Sequence, residues 1–262
     1  MHMDDVTITR AIVESYTRDF LESADVDVAI AGAGPAGMAA AYYLAREGLN
    51  TVIFEKQLRF GGGMPGGGMM FNRIVFDMQG KEILDEFDIR STEYEEGYYV
   101  SDSLETVSTL CSKTIKAGAK IFNLISVEDV MIREEDRITG LVLNWTSVGM
   151  AGLHVDPLTI RSKMTIDATG HDSDICRIVE KKVGPRLRTD TGRVIGEKSM
   201  WAEVGERDIL ENTNEAFPGL IVSGMAANAV YGSPRMGAIF SGMLLSGKKA
   251  AGLAIDIIKR DE

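Results

Sequence analysis

The chain has 262 residues, 45% of them hydrophobic and 26% charged, with a net charge of −11. That length suits one large domain, or one domain with an insertion, around a substantial core. An acidic chain is a poor partner for a phosphate backbone, and no apolar run reaches the roughly 18–20 residues of a membrane span, so neither nucleic acid nor membrane is expected as a partner.

Apolar residues at 8, 12, 13, 16 and 20 recur at helical spacing and predict an amphipathic helix over residues 7–21. A short apolar strand over 26–31 runs into Gly32-Ala33-Gly34-Pro35-Ala36-Gly37 and then a helix of small residues reaching about Gly48. A second strand, 51–54, ends at Glu55, completing a βαβ unit of the size a parallel crossover needs. Residues 60–71 hold too much glycine and methionine for a regular element. From 74 to about 97 the pattern reads as helix, then loop, and 103–117 as a helix carrying Cys111. Strands are expected at 120–123, 126–133 and 138–145, and again at 159–167, which leads into Ala168-Thr169-Gly170-His171-Asp172. A short helix with Cys176 follows at 175–182. The polar stretch 184–205 reads as a flexible loop, 220–225 as a strand entering a turn, and 237–260 as a long apolar helix. The expected fold is α/β: a Rossmann-type (FAD/NAD-binding-like) parallel sheet with helices on both faces and an inserted antiparallel section, in one domain over 1–262. Two cysteines that form neither a CxxC pair nor a disulfide framework, with no signal-type start, place the chain by expectation in the cytoplasm.

Gly-x-Gly-x-x-Gly carries weight here because it follows a strand, opens a helix and precedes an acid at the end of the next strand. Gly32 permits the tight turn, Gly34 lets the backbone approach a pyrophosphate, and Gly37 allows close helix–strand packing. The pyrophosphate would rest on unpaired N–H groups at the helix start. Glu55 can accept from an adenosine ribose and repels a 2′-phosphate, which favours NAD or FAD over NADP.

Flavoenzymes share this loop and the Ala-Thr-Gly strand end, so a flavin-dependent oxidoreductase competes with a nicotinamide-consuming enzyme, and a non-catalytic dinucleotide-binding subunit is a third reading. Against flavin stand the short chain and a set of polar residues suited to a metal. Of the three histidines, His2 is terminal, His154 lies in His154-Val155-Asp156-Pro157, and His171 lies at the carboxyl end of a predicted strand, where ligands bind in open α/β sheets. Asp156 and His171 flank that strand, too far apart to share an ion within one chain but able to do so across a subunit contact. An imidazole–carboxylate pair with open positions suits a divalent first-row metal such as iron. The other reading of the same residues has Asp156 capping a turn before Pro157 and both histidines as hydrogen-bonded loop residues. Glu128 and Asp129 read as a solvated strand edge. Arg235, in Gly232-Ser233-Pro234-Arg235-Met236-Gly237, could clamp a carboxylate bidentately.

Taken together these motifs resemble the thiamine thiazole synthase family, in the archaeal form sometimes labelled ribose 1,5-bisphosphate isomerase. The resemblance extends from residue 7 to the last helix. Its most specific parts are Phe60-Gly61-Gly62-Gly63-Met64, Asp167-Ala168-Thr169-Gly170-His171-Asp172, Pro218-Gly219-Leu220-Ile221-Val222-Ser223-Gly224-Met225 and the Arg235 loop. It implies that NAD is a substrate: nicotinamide leaves, the ADP-ribose unit condenses with glycine, and sulfur is added to give ADP-5-ethyl-4-methylthiazole-2-carboxylate for thiamine biosynthesis. It further implies catalytic iron(II) on Asp156 and His171 from neighbouring subunits of a homo-oligomer, an octamer in the family. It places dinucleotide contacts at Ala36, Glu55, Lys56, Gly63, Val127, His154 and Met225, beside Gly32, Gly34 and Gly37, and the glycine carboxylate on Arg235. Two departures stand out. Pro65 replaces an aromatic residue common among relatives. His154 occupies the place where eukaryotic members carry a sulfur-donating cysteine, so free sulfide is the expected sulfur source, with Cys176 the nearest thiol.

Overall fold

The structure, a computed structural model, describes residues 3–133 and 136–261; His2 lies outside them. Helix α1 (Asp5–Glu22) starts on Asp4, whose carboxylate accepts from the Thr7 N–H at 2.9 Å. Its extent matches the amphipathic pattern but its packing does not: no residue of α1 is buried, and Tyr16 and Phe20 alone reach the rings of Phe122 and Trp145.

Strand β1 (Asp25–Ala31), helix α2 (Pro35–Arg46) and strand β2 (Thr51–Glu55) form the predicted βαβ unit, with β1 and β2 parallel and Val28 opposite Thr51. Next come β3 (Arg73–Phe76), α3 (Met78–Glu86), β4 (Thr92–Glu95) and β5 (Tyr98–Asp102), with β3 and β4 antiparallel to β5 on either side. This small sheet corrects the helix-then-loop expectation for 74–97. Its strands are only four or five residues long, and β4, Thr-Glu-Tyr-Glu, is exposed throughout, so no apolar alternation marks it. Helix α4 (Ser103–Lys116) is capped by Asp102, which accepts from the Leu104 and Glu105 N–H groups.

Strand β6 (Lys120–Asn123) joins β2 in parallel. The antiparallel section is the hairpin of β7 (Ile125–Arg133) and β8 (Arg137–Trp145), followed by the short helix α5 (Thr146–Met150). Strand β9 (Leu158–Asp167) lies parallel to β1 along one edge; along its other edge the first half pairs with β8. Helices α6 (Asp174–Val183) and α7 (Ala202–Asn212) lead to β10 (Glu215–Phe217) and β11 (Leu220–Val222), and β11 takes up the second half of that other edge in parallel. Helices α8 (Met225–Tyr231) and α9 (Ser241–Asp261) end the described chain. The expected loop at 184–205 is shorter than its sequence suggests, because α7 begins at Ala202. The irregular part is tied down: Ile195 and Gly196 donate to the Val230 and Ala229 carbonyls, and Lys198 to that of Ser233.

The main sheet runs β10-β11-β9-β1-β2-β6. Successive residues of β1 enter two different cores. Val28 and Ile30 pack with α2, α4 and α9, whereas Ala29 and Ala31 pack with the β7–β8 hairpin, α6 and α8. Burial on both faces is why these strands read as nearly continuous apolar runs. From β1 the chain proceeds to β2 and β6 on one side, while β9 and β11 lie on the other. The crevice at the carboxyl ends of β1 and β9 is therefore the switch point of the sheet, where an open α/β fold binds ligands.

Candidate functional site

A cleft of about 940 Å³ opens at that switch point. The phosphate loop forms its floor, and its glycines divide the work. Gly32 has φ +102°, and a Cβ there would stand 2.5 Å from the Ala168 carbonyl oxygen. A Cβ on Gly37 would stand 2.1 Å from the Gly32 oxygen. Among the described residues a Cβ on Gly34 would meet no atom within 4 Å, and Gly34 lines the cleft. Thus two glycines serve the fold and the middle one faces the space where a ligand would lie. Helix α2 opens with Pro35 at its first position and no side-chain cap, so its first N–H groups are left for a ligand.

Glu55, buried at the end of β2, holds this loop in place: its Oε2 accepts from the Ala33 N–H and its Oε1 from the Gln57 N–H, both at 2.8 Å. Lys56 bonds to Asp174 at 2.9 Å and lies 3.7 Å from Asp172. Burial works against its charge, but Asp174, Asp172 and Glu55 outweigh it and hold its pKa above the ordinary lysine value. The glycine-rich loop folds against the phosphate loop through a bond from the Gly61 N–H to the Ala33 carbonyl at 2.7 Å. Pro65 sits in the 3-10 turn Met64–Gly66 and its carbonyl accepts from the Ser103 hydroxyl. Gly63 and, on β7, Val127 line the cleft beside Glu55; Ala36, Met225 and Arg235 line it beyond the phosphate loop. The Arg235 backbone is fixed on both sides, its N–H to the Lys198 carbonyl and its carbonyl to the Trp201 N–H. Among the described residues its guanidinium has no ion-pair or hydrogen-bond partner, so its forked donors are free for a ligand.

At the far wall, β9 ends in buried Asp167. Its oxygens accept from the Thr169 N–H and hydroxyl and from the Cys176 N–H. Burial pushes this carboxyl up, and those bonds pull against the rise. The turn it shapes is the 3-10 segment Gly170–Asp172, which places half-exposed His171 on the cleft wall with Nδ1 2.5 Å from Glu197 Oε1. Cys176, one face of α6 behind that turn, is fully buried and lines no part of the cleft. Burial first, and then Asp167, raise its thiol well above the ordinary value, so it is held as an unreactive thiol. Cys111 is likewise buried on α4, with its thiol raised by burial.

His154 and Asp156 stand apart from this group, in the exposed 151–157 loop at the amino end of β9. Ten strand residues separate that loop from the His171 turn, a span of about 30 Å. No cluster of three or more His, Cys, Asp or Glu placed for a metal occurs among the described residues. Glu128 bonds Asn144, and Asp129 pairs with Lys182 at the surface. Sequence reasoning missed Arg59, Arg177 and Lys181, three cations lining the cleft, and Glu197 behind His171. The spacing of Arg177 and Lys181, one turn apart on α6, was a usable signal; Glu197 had none.

The chain has a Rossmann-type α/β fold with an open cleft at the switch point of its sheet. A geranylgeranyl bacteriochlorophyll reductase-like protein from Thermoplasma acidophilum shares this fold at TM-score 0.56 and 17% identity, covering 90% of this chain and 79% of that one. The chain belongs to the Thi4 family, whose pattern matches residues 9–240. Over 259 residues it is 61% identical to the thiamine thiazole synthase of Methanothermobacter thermautotrophicus, covering 99% of this chain and all of that protein. It is 57% identical to the thiamine thiazole synthase of Pyrococcus abyssi over 247 residues, which are 94% and 95% of the two chains. The crystal structure of Thermovibrio ammonificans THI4 superposes at TM-score 0.95 with 45% identity, over 99% of this chain and 100% of that one.

Proposed function

We propose that this chain is a thiamine thiazole synthase that consumes NAD and glycine, takes sulfur from free sulfide, and works with iron(II) in a homo-oligomer. The observation that carries the reading is the single cleft that joins Glu55, the phosphate loop, His171 and Arg235 in a member of the Thi4 family. The phosphate loop and the start of α2 bind the diphosphate. Glu55, with Lys56, Gly63 and Val127, receives the adenosine end; Met225 completes the dinucleotide contacts with His154, which, lying with Asp156 outside this chain's cleft, would reach it from a second copy. Arg235 holds the glycine carboxylate through its paired donors.

The donor set fits iron(II) in part. One imidazole, with its other nitrogen engaged, faces the cleft, and imidazole with carboxylate suits a divalent first-row metal. The carboxylate, Asp156, lies at the other end of β9, so it would come from a second copy. Bound iron(II) would supply open coordination positions for substrate and sulfide. Neither thiol reaches the cleft, and His154 has no sulfur to give, which supports an external sulfur source.

The test is an anaerobic assay with NAD, glycine, iron(II) and sulfide, read by mass spectrometry of products and of the intact protein. Many adenylated thiazoles per chain with unchanged protein mass are expected, also from Cys176→Ala. One product per chain, with loss of hydrogen sulfide at Cys176, overturns the sulfide reading. Turnover of ribose 1,5-bisphosphate without NAD, or a bound flavin without thiazole formation, overturns the synthase reading.

A further inference from the structure

The Nδ1 of His171 is not open to the cleft. It faces Glu197 Oε1 at 2.5 Å, and among the described residues this is the one polar partner of the Glu197 carboxylate. Glu197 does not line the cleft; its side chain is 19% exposed and reaches the ring from behind. Its backbone neighbours are held on both sides, Gly196 by the Ala229 carbonyl at α8 and Lys198 by Ser233. The carboxylate therefore stands on a fixed support. A carboxylate oxygen this close to a ring nitrogen is its acceptor when that nitrogen carries the proton, and the contact favours that arrangement. A neutral imidazole with Nδ1–H carries its lone pair on Nε2, the nitrogen directed away from Glu197.

We infer that Glu197 is a positioning residue that fixes His171 in the Nδ1–H tautomer and sets its ring so that Nε2 is presented to a metal in the cleft. This rests on the reading of His171 as an iron ligand. A carboxylate behind a ligating imidazole both orients the ring and raises its basicity, and loss of such a partner weakens metal binding by about ten- to a hundred-fold. The following residue strengthens the case. The Lys198 carbonyl accepts from the Arg235 N–H, so two consecutive residues of an irregular segment set the positions of His171 and of Arg235. The segment joins the proposed metal donor to the proposed carboxylate clamp, although His171 follows β9 and Arg235 follows α8.

The experiment uses the assembled protein labelled with 15N-histidine and kept free of metal. Long-range proton–nitrogen correlation reads the tautomer, and His171 is assigned from the signals lost in His171→Ala. Iron(II) alone is then titrated anaerobically into each variant. The wild-type ring should show Nδ1–H. Glu197→Ala should lose that preference and bind iron(II) about ten- to a hundred-fold more weakly. Glu197→Gln, whose amide oxygen can still accept from Nδ1–H, should keep the tautomer and fall between the two, which guards against a folding defect in the alanine variant. Wild-type tautomer and affinity in Glu197→Ala would overturn the inference. So would equal loss of iron in both variants with the tautomer unchanged, since Glu197 would then be a direct ligand. If His171→Ala binds iron(II) as tightly as wild type, the iron reading itself fails; that result is separate from the tautomer measurement.

Discussion

Alanine at each of two phosphate-loop glycines separates folding from ligand binding. Gly37→Ala places a methyl group 2.1 Å from the Gly32 oxygen, and backbone rather than a flexible side chain must yield. Overpacking of this kind costs about 1–3 kcal/mol, and at roughly 2–4 °C per kcal/mol the melting temperature should fall by about 2–12 °C. Gly34→Ala is different. Its φ is −74°, an angle alanine adopts freely, and the new Cβ meets no atom of the described residues within 4 Å. Alanine is a poorer N-cap than glycine by up to ~1 kcal/mol, but removing glycine from the unfolded chain returns about 0.4–1 kcal/mol, so the melting temperature should barely move. The methyl group instead enters the open space in which the proposed reading seats the diphosphate. A steric cost of about 1–3 kcal/mol there should weaken NAD roughly 5- to 150-fold. Differential scanning calorimetry reads the first effect and titration calorimetry with NAD the second. If Gly34→Ala binds NAD as wild type does, or melts as low as Gly37→Ala, the assignment of the middle glycine to the ligand is wrong.

Arg235→Lys should raise the glycine concentration needed for thiazole formation by at least tenfold, since an ammonium cannot copy a two-point fork worth about 1.5–3 kcal/mol, while titration calorimetry shows NAD affinity nearly unchanged. Glu206 should make stability fall with pH: burial, with Asp77 nearby, pushes its carboxyl up to about 7 against the bond from the Gly242 N–H, and among the described residues its Oε1 has no hydrogen-bond partner. The folded state therefore holds a proton that the unfolded state releases between its ordinary value of 4.5 and about 7, so stability is lost as pH rises through that window, by on the order of 3 kcal/mol at most. Glu206→Gln should flatten this slope in urea titrations at mildly acid and mildly alkaline pH and be the more stable protein at the latter. Iron(II) affinity should fall when the protein is diluted until it dissociates, and a mixture of Asp156→Ala and His171→Ala chains should recover binding at sites pairing the two intact residues. Dilution-independent affinity, with no recovery in the mixture, would place both ligands elsewhere.

What the sequence made legible is what contiguous residues encode. The βαβ unit, its three glycines and Glu55 lie within one short stretch, and the backbone requirements of each can be read from residue type. The β7–β8 hairpin and β9 were equally visible as apolar strands. The small sheet of β3, β4 and β5 was not, because its four- and five-residue strands are partly exposed and carry no period long enough to count. The apolar stripe of α1 was read correctly as a helix, yet periodicity reports which face is apolar and not what covers it. Val6, Ile12 and Val13 remain more than half exposed.

The remaining part of the site follows from topology rather than motif. Gly34 and His171 line one cleft because β1 and β9 are parallel neighbours, with Ala31 opposite Asp167 at their carboxyl ends. Residues far apart in sequence thus open into the same crevice, and the reversal of strand order keeps the connecting helices from closing over it. The same parallel register sends the amino end of β9 to the opposite side of the sheet, and with it His154 and Asp156. A strand long enough to bridge the β7–β8 hairpin and β11 along one edge cannot also bring its two ends together. A metal held by Asp156 and His171 therefore requires two chains. In that arrangement β9 would serve both parts of the site: its carboxyl end lies at the cleft of its own chain, and its amino end would offer a carboxylate to another.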